Sequence, residues 1–443
     1  MNQKKISNNF SSHMNMNFLP QPFKIINGRL FCESVEINRL ASKFGTPIFI
    51  YSERAICEAY LKIKNAVAKW PVEICYAVKA NPTLGILELL GKLDSGFDVV
   101  SGGELSRVLK AVKNPNKIVF SGVGKSEKEL ELAIKSNVFC INVESISELH
   151  TLNKISIKNN VCTPISIRIN PDIDPKTHPY ISTGLKENKF GLSLDKAKEA
   201  YKIASKLTHL HIIGVDCHIG SQIIDKEPYI ESTIKLLDFV DSINEIDKTN
   251  FHIDLGGGIG ICYKDESLPV LDDLFSSILR PIEKWSKKKS LEFPKIIFEL
   301  GRSIVGPAGL IICEVLALKN GNDENDKNFI IVDAAMNDLM RPALYDAYHE
   351  IFPIINFQNS KSKMSWDVVG PICETGDWLG KDRYIHTKQG ERLAIASAGA
   401  YGSSMASNYN SRSKPAEILI EESGSVKVLK RRETFDDLIR NEI

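Results

Sequence analysis

The chain has 443 residues, with 56 Lys plus Arg against 55 Asp plus Glu and a formal net charge of +1. At roughly 100–200 residues per domain this length calls for two domains, and so even a charge balance gives no reason to expect nucleic acid or an acidic membrane as partner. With 43% apolar and 25% charged residues the composition is that of a globular protein, and no apolar run approaches the ~18 residues of a membrane helix. The nine cysteines stand singly, without a Cys-x-x-Cys pair. That pattern predicts reduced thiols in the cytoplasm and calls for no metal.

Residues 1–20 open with an Asn-, Ser- and Lys-rich stretch lacking the apolar core of a secretory signal, which predicts a disordered tail. Residues 21–45 contain the strand-like FKIINGRLFCESV (23–35) and are expected to contribute to the second domain. Over 46–302 short β-branched runs alternate with amphipathic stretches, the pattern of βα units around a parallel sheet. Eight runs stand out: EICYAVKA (73–80), FDVVS (97–101), KIVFSG (117–122), FCINVES (139–145), PISIRIN (164–170), GVDCHIG (214–220), HIDLGGG (252–258) and KIIFELG (295–301). Eight repeats in somewhat under ~250 residues predict an α/β fold, a closed (β/α)8 barrel of the TIM type. Helices are expected at 103–112 and 126–136, the second opened by a Ser126–Glu129 capping box. Beyond Arg302, runs such as LIICEVLAL (310–318), NFIIVDAA (328–335), WDVVG (366–370), RLAIASAGAY (392–401) and SVKVLKRR (425–432) predict a β-barrel or sandwich over 303–443.

The unusual residues fall at the carboxyl ends of the barrel runs: Lys79, Asp98 with Ser101, Gly122, Glu144, Asn170, His218, Gly256 to Gly258, and Glu299. In such barrels that rim carries the chemistry. Lys79 ends a buried strand, where its ammonium must be paired or its pKa must fall, and a lowered pKa makes lysine a nucleophile toward carbonyls; a lysine reaching solvent at the barrel mouth is the other reading. Gly256, Gly257 and Gly258 end the seventh run and Gly260 follows it, and position 261, where a dinucleotide fingerprint needs its last glycine, holds Ile. A phosphate cradle and a plain tight turn both fit. Glu299 and Arg302 either pair with each other or meet a bound group. Arg168 alternates onto the same face as Ser166 and Asn170 and is given no role.

Together, YAVKANP, FDVVSGGE, HIGSQ, GGGIG, ELGR, MRPALYDAYHE, CETGDWLG and YNSR closely resemble the fold-type III pyridoxal-phosphate decarboxylases, whose barrel is alanine-racemase-like, and within them the diaminopimelate decarboxylase family. The likeness runs from about residue 22 to the carboxyl terminus. It implies that Lys79 carries pyridoxal 5'-phosphate, that Asp98 belongs to the cofactor site, that His218 lies against the ring and that Glu299 faces the ring nitrogen. Ser221, Gly256, Gly257, Gly258, Gly301, Arg302 and Tyr401 would hold the phosphate. Arg302, Arg341, Tyr345, Glu374 and Tyr401 would bind the substrate, meso-diaminopimelate, and Cys373 would donate a proton across a homodimer interface. The family usually has Pro where this chain has Leu300.

Decarboxylases of ornithine, arginine or carboxynorspermidine are the competing enzymes, but a distal ammonium needs an acidic partner where this chain offers arginines. A non-catalytic relative acting by protein contact is a different class. It would be expected to have lost the cofactor contacts that are all present here.

Overall fold

The computed structural model describes residues 19–112, 114–175, 178, 183–185, 187–323, 326–356 and 361–443. The predicted tail therefore lies, up to residue 18, outside the described residues. Three short strands, β1 (Phe23–Ile26), β2 (Arg29–Cys32) and β3 (Val35–Glu36), pair antiparallel in a sheet of their own. β4 (Ile48–Ser52) follows, and then the barrel: β5 (Val72–Ala77), β6 (Gly96–Val99), β7 (Ile118–Phe120), β8 (Cys140–Val143), β9 (Thr163–Arg168), β10 (Leu210–Asp216), β11 (His252–Asp254) and β12 (Lys295–Leu300). All eight lie within or overlap the expected runs. Neighbours are parallel, and β12 returns to β5 with Leu300 opposite Tyr76 to close the ring. Helices cover the outer faces, so the strands read as continuous apolar runs.

The strand-to-helix turns are pinned by the sequence. Ser101, Ser126 and Ser145 each cap the following helix, with hydroxyl oxygens accepting from the amides of Glu104, Glu129 and Glu148. Glu129 completes the expected capping box. Each cap contributes about 1 kcal/mol and fixes the exit angle of a rim loop.

The second sheet contains β13 (Gly309–Lys319), β14 (Phe329–Val332), β15 (Ile351–Pro353), β16 (Lys361–Val369), β17 (Trp378–Ile385), β18 (Arg392–Ile395), β19 (Ala416–Ile420) and β20 (Val426–Lys430). Its order is β17-β16-β14-β13-β4-β19-β20, with β18 joining β13 to β15. β13 is the spine: its first residues pair with β4, its middle with β18 and its end with β14. The structure is a branched sheet where the sequence pattern allows a barrel or a sandwich.

β4 corrects the expected start of the barrel segment at 46. All five residues of IFIYS are buried, and the strand lies between β13 and β19. Being covered on both faces, it has the same unbroken apolar pattern as a barrel strand, so periodicity cannot tell them apart. Residues 21–45 pack on this sheet: Phe23, Leu30 and Ile37 share a core with Ile48, Leu310 and Ile418. The Leu30 amide donates to the Ile354 carbonyl at 2.9 Å. Among the described residues no helix is long and apolar enough to cross a membrane.

Candidate active site

A cavity of about 190 Å³ opens at the carboxyl end of the barrel, where Lys79, His218 and Glu299 meet Arg341 and Tyr345 of the second domain. A larger groove of about 380 Å³ outside the barrel is mainly apolar, lined by residues such as Ile63, Ile259 and Leu268. The smaller cavity gathers the charged groups, so the chemistry belongs there.

Lys79 sits on a single 3-10 turn directly after β5. Its Nζ lies 2.5 Å from Asp98 Oδ2 at the end of β6, and Asp98 is fully buried. Burial alone would lower the lysine pKa, but Asp98 and then Glu299 outweigh it and hold the amine charged, above its ordinary range. Of the two ways to place this lysine, pairing is the one realised.

Glu299, near the end of β12, accepts from Ser121 Oγ at 3.0 Å, and Asn142 Nδ2 donates to Ser121 Oγ at 3.1 Å. It makes no ion pair with Arg302, which turns the other way. Burial, then Asp98 and Asp216, push the Glu299 carboxyl up to about 8. Beneath it, Asp216 and Asp254 bring carboxylate oxygens within 4.8 Å of one another and of Glu299. Arg168, inside the barrel as its alternation predicts, lies 3.0 Å from Glu144 and 3.9 Å from Asp216. Asp98 Oδ1, Asp216 Oδ1 and Asp254 Oδ2 have no hydrogen-bond partner among the described residues.

The glycine run is required by close approach. Gly256 has φ +64, a Cβ on Gly257 would stand 1.9 Å from the Glu299 carbonyl oxygen, and one on Gly258 would stand 2.1 Å from the Gly220 carbonyl oxygen. The Gly257 amide donates to His218 Nδ1 at 3.0 Å, so the imidazole carries its hydrogen on Nε2. Burial, then Arg168, keeps the His218 pKa well below the usual range, and the ring is neutral.

Two guanidinium groups close the far wall. Arg302 donates to the Tyr263 hydroxyl at 2.6 Å and to Ser221 Oγ at 3.0 Å, and lies 4.8 Å from the Tyr401 ring centroid. Arg341 lies 4.6 Å from the Tyr263 ring centroid. Among the described residues neither arginine forms an ion pair with a carboxylate, although both are buried. Tyr401 holds φ +56, and its amide donates to the Ala80 carbonyl at 2.8 Å, tying the second domain to the lysine turn. Gly301 also lines the cavity. Cys373 and Glu374 do not: both are exposed on the segment between β16 and β17, with the Cys373 amide on Asn410 and the Glu374 carboxylate on the Tyr409 hydroxyl.

Residues 53–306 match the family model for the pyridoxal binding domain of pyridoxal-dependent decarboxylases. The diaminopimelate decarboxylase of Neisseria meningitidis is 48% identical over 414 residues, 94% of this chain and 97% of that protein. The chain belongs to the diaminopimelate decarboxylase family. The counterpart from Aquifex aeolicus is 46% identical, across 93% of this chain and 95% of its own. The crystal structure of the Helicobacter pylori enzyme complexed with L-lysine superposes with TM-score 0.84 at 43% identity, covering 92% of this chain and 99% of that one. That of Methanocaldococcus jannaschii in co-complex with L-lysine gives TM-score 0.87 at 39% identity, covering 95% and 97%.

At the position where the family usually has Pro, Leu300 is buried and closes β12 against β5. Sequence reasoning missed Ser121, Asn142, Asp216, Asp254, Tyr263 and His349. The two aspartates carried a signal, a carboxylate inside an apolar strand run, whereas Tyr263 and His349 lie in segments with no period.

Proposed function

We propose that the chain is a pyridoxal-phosphate-dependent carboxy-lyase that converts meso-2,6-diaminopimelate to L-lysine and CO2, the last step of lysine biosynthesis. The carrying observation is the pair of buried arginines, Arg302 and Arg341, without a carboxylate partner among the described residues. A diamino diacid held at one end near Lys79 brings its second carboxylate to them, and guanidinium matches that group bidentately. Ornithine or arginine would leave both cations unpaired, at a cost of about 1–3 kcal/mol or more.

The cavity suits the cofactor. Lys79 offers the amine, Asp98 and Glu299 offer buried acid groups, and the run Gly256 to Gly258, packed too tightly on His218, Glu299 and Gly220 to admit a Cβ, presents bare backbone where the phosphate would lie with Ser221, Gly301, Arg302 and Tyr401. Bound there, pyridoxal phosphate supplies an electron sink for the pair left behind by CO2. The neutral His218 would lie against its ring, and Glu299 would face the ring nitrogen. Tyr345 and Tyr401 line the substrate end and narrow it against water.

Cys373 holds the proton for the carbon that has lost CO2, and Glu374 meets the substrate's distal amine; both do so from the other subunit of a homodimer. Their exposure on one chain, away from the cavity, supports this arrangement. Mixing inactive Lys79→Ala and Cys373→Ala protomers is then expected to restore about a quarter of the activity, since half of the dimers are mixed and each keeps one intact site. No recovery on mixing would place Cys373 in its own subunit's chemistry or outside it. The unpaired cysteines support a cytoplasmic location.

The direct test supplies the protein with pyridoxal phosphate and meso-diaminopimelate and measures CO2 and L-lysine together. Equal amounts of both are expected. Release of CO2 from ornithine or arginine alone would overturn the substrate and leave the reaction class.

A further inference from the structure

His349 lies outside the cavity, fully buried, in the segment between Arg341 and β15. Its Nδ1 is 2.7 Å from the Ala396 carbonyl oxygen and its Nε2 is 2.7 Å from Arg341 Nη1. A carbonyl can only accept, so Nδ1 must carry the hydrogen. Guanidinium can only donate, so Nε2 must offer its lone pair. The two partners together therefore leave one arrangement, a neutral imidazole with a single tautomer. Tyr263 packs edge-on against the same imidazole at 5.1 Å between ring centroids and stacks under Arg341.

We propose that His349 is a positioning residue for substrate recognition: it acts as a fixed acceptor that aims the Arg341 guanidinium at the substrate's distal carboxylate without touching substrate itself. The inference rests on the substrate reading above and names what orients one of its two arginines. A long arginine side chain has considerable rotamer entropy to lose. Anchoring one Nη before substrate arrives removes that cost from the binding step. The anchor must also be uncharged. Arg302 and Arg341 already repel each other, and a carboxylate in place of His349 would satisfy Arg341 internally and compete with the substrate. A neutral acceptor orients the cation and leaves its charge available. Burial, then the neighbouring Arg341, hold the His349 pKa well below its usual range, which keeps the acceptor in place across neutral pH.

The test compares His349→Gln with His349→Met in the cofactor-loaded protein. The two side chains have similar length, but Gln keeps a strong oxygen acceptor where Met offers only a weakly accepting sulfur. Two competitive ligands are used: L-lysine, which retains the carboxylate remote from the lost CO2, and 1,5-diaminopentane, which has none. For His349→Met, binding of L-lysine and KM for diaminopimelate are expected to weaken about tenfold or more, the size of one hydrogen bond to a charged group. kcat should change much less, and 1,5-diaminopentane should bind as in the wild type. His349→Gln should recover most of the loss, and in an Arg341→Gln background His349→Met should add nothing. The cofactor's visible absorbance in each variant verifies that the fold is kept. Equal weakening of both ligands, or of neither, overturns the proposal. A wild-type protein that binds L-lysine no better than 1,5-diaminopentane overturns the substrate reading first and the proposal with it.

Discussion

On the proposed function, Lys79→Ala is expected to lower turnover by roughly a thousandfold or more and to abolish the visible absorbance that the wild-type protein acquires with pyridoxal phosphate, because it removes the amine proposed to bond the cofactor's carbonyl. The variant carries a second effect. Asp98 is fully buried against Lys79, and deleting the cation leaves that carboxylate without its partner. The loss should be up to about 3 kcal/mol, at the low end for a buried pair because the lysine keeps 33% exposure toward the cavity. Lys79→Arg separates the two contributions. It keeps a cation near Asp98 but no reactive amine, so thermal stability should return while absorbance and activity stay lost. Substantial activity in Lys79→Arg would assign the chemistry to another group.

How far these roles could be read in advance depends on how local their cause is. Lys79, Glu299 and the glycine run each sit at the carboxyl end of a strand whose apolar pattern is unmistakable, so the barrel rule alone gathers them on one rim. Arg168 faced the interior for the same reason, two residues beyond Ser166 on one strand. β4 escaped that logic because a strand covered on both faces carries no address. The apolar core that β4 shares with Leu310 and Ile418 is made of contacts distant in sequence. His349 and Tyr263 are invisible for a related reason. Each is held by a partner in another segment, His349 by Ala396 and Tyr263 by Arg302, and a histidine or tyrosine in an aperiodic stretch has many commoner uses. The role given to Cys373 comes only through the family resemblance, and nothing in its own neighbourhood points to the exposed position it holds.

Glu299→Gln is the second substitution expected to have a large effect, about a hundredfold loss of turnover, because glutamine retains the length and the acceptor for Ser121 but cannot become an anion opposite a cationic ring nitrogen. The cofactor-free protein offers an independent reading of the same charge. Burial and the surrounding acids raise Glu299 to about 8, and burial raises Asp216 to about 7 against the opposing pull of Arg168. A carboxyl group whose folded pKa lies above its unfolded value of about 4 binds its proton more tightly when folded. Its stabilising contribution is complete at low pH and is lost as pH rises through the folded pKa. The cofactor-free protein should therefore lose thermal stability progressively between about pH 4 and 8, and the slope should lessen in Glu299→Gln and in Asp216→Asn, where no proton is left to release. Loading the cofactor should also flatten the wild-type curve, since a cation beside Glu299 favours the ionised form that burial opposes. A Glu299→Gln protein with the wild-type slope and full activity would show that the carboxyl neither changes charge in this range nor needs to.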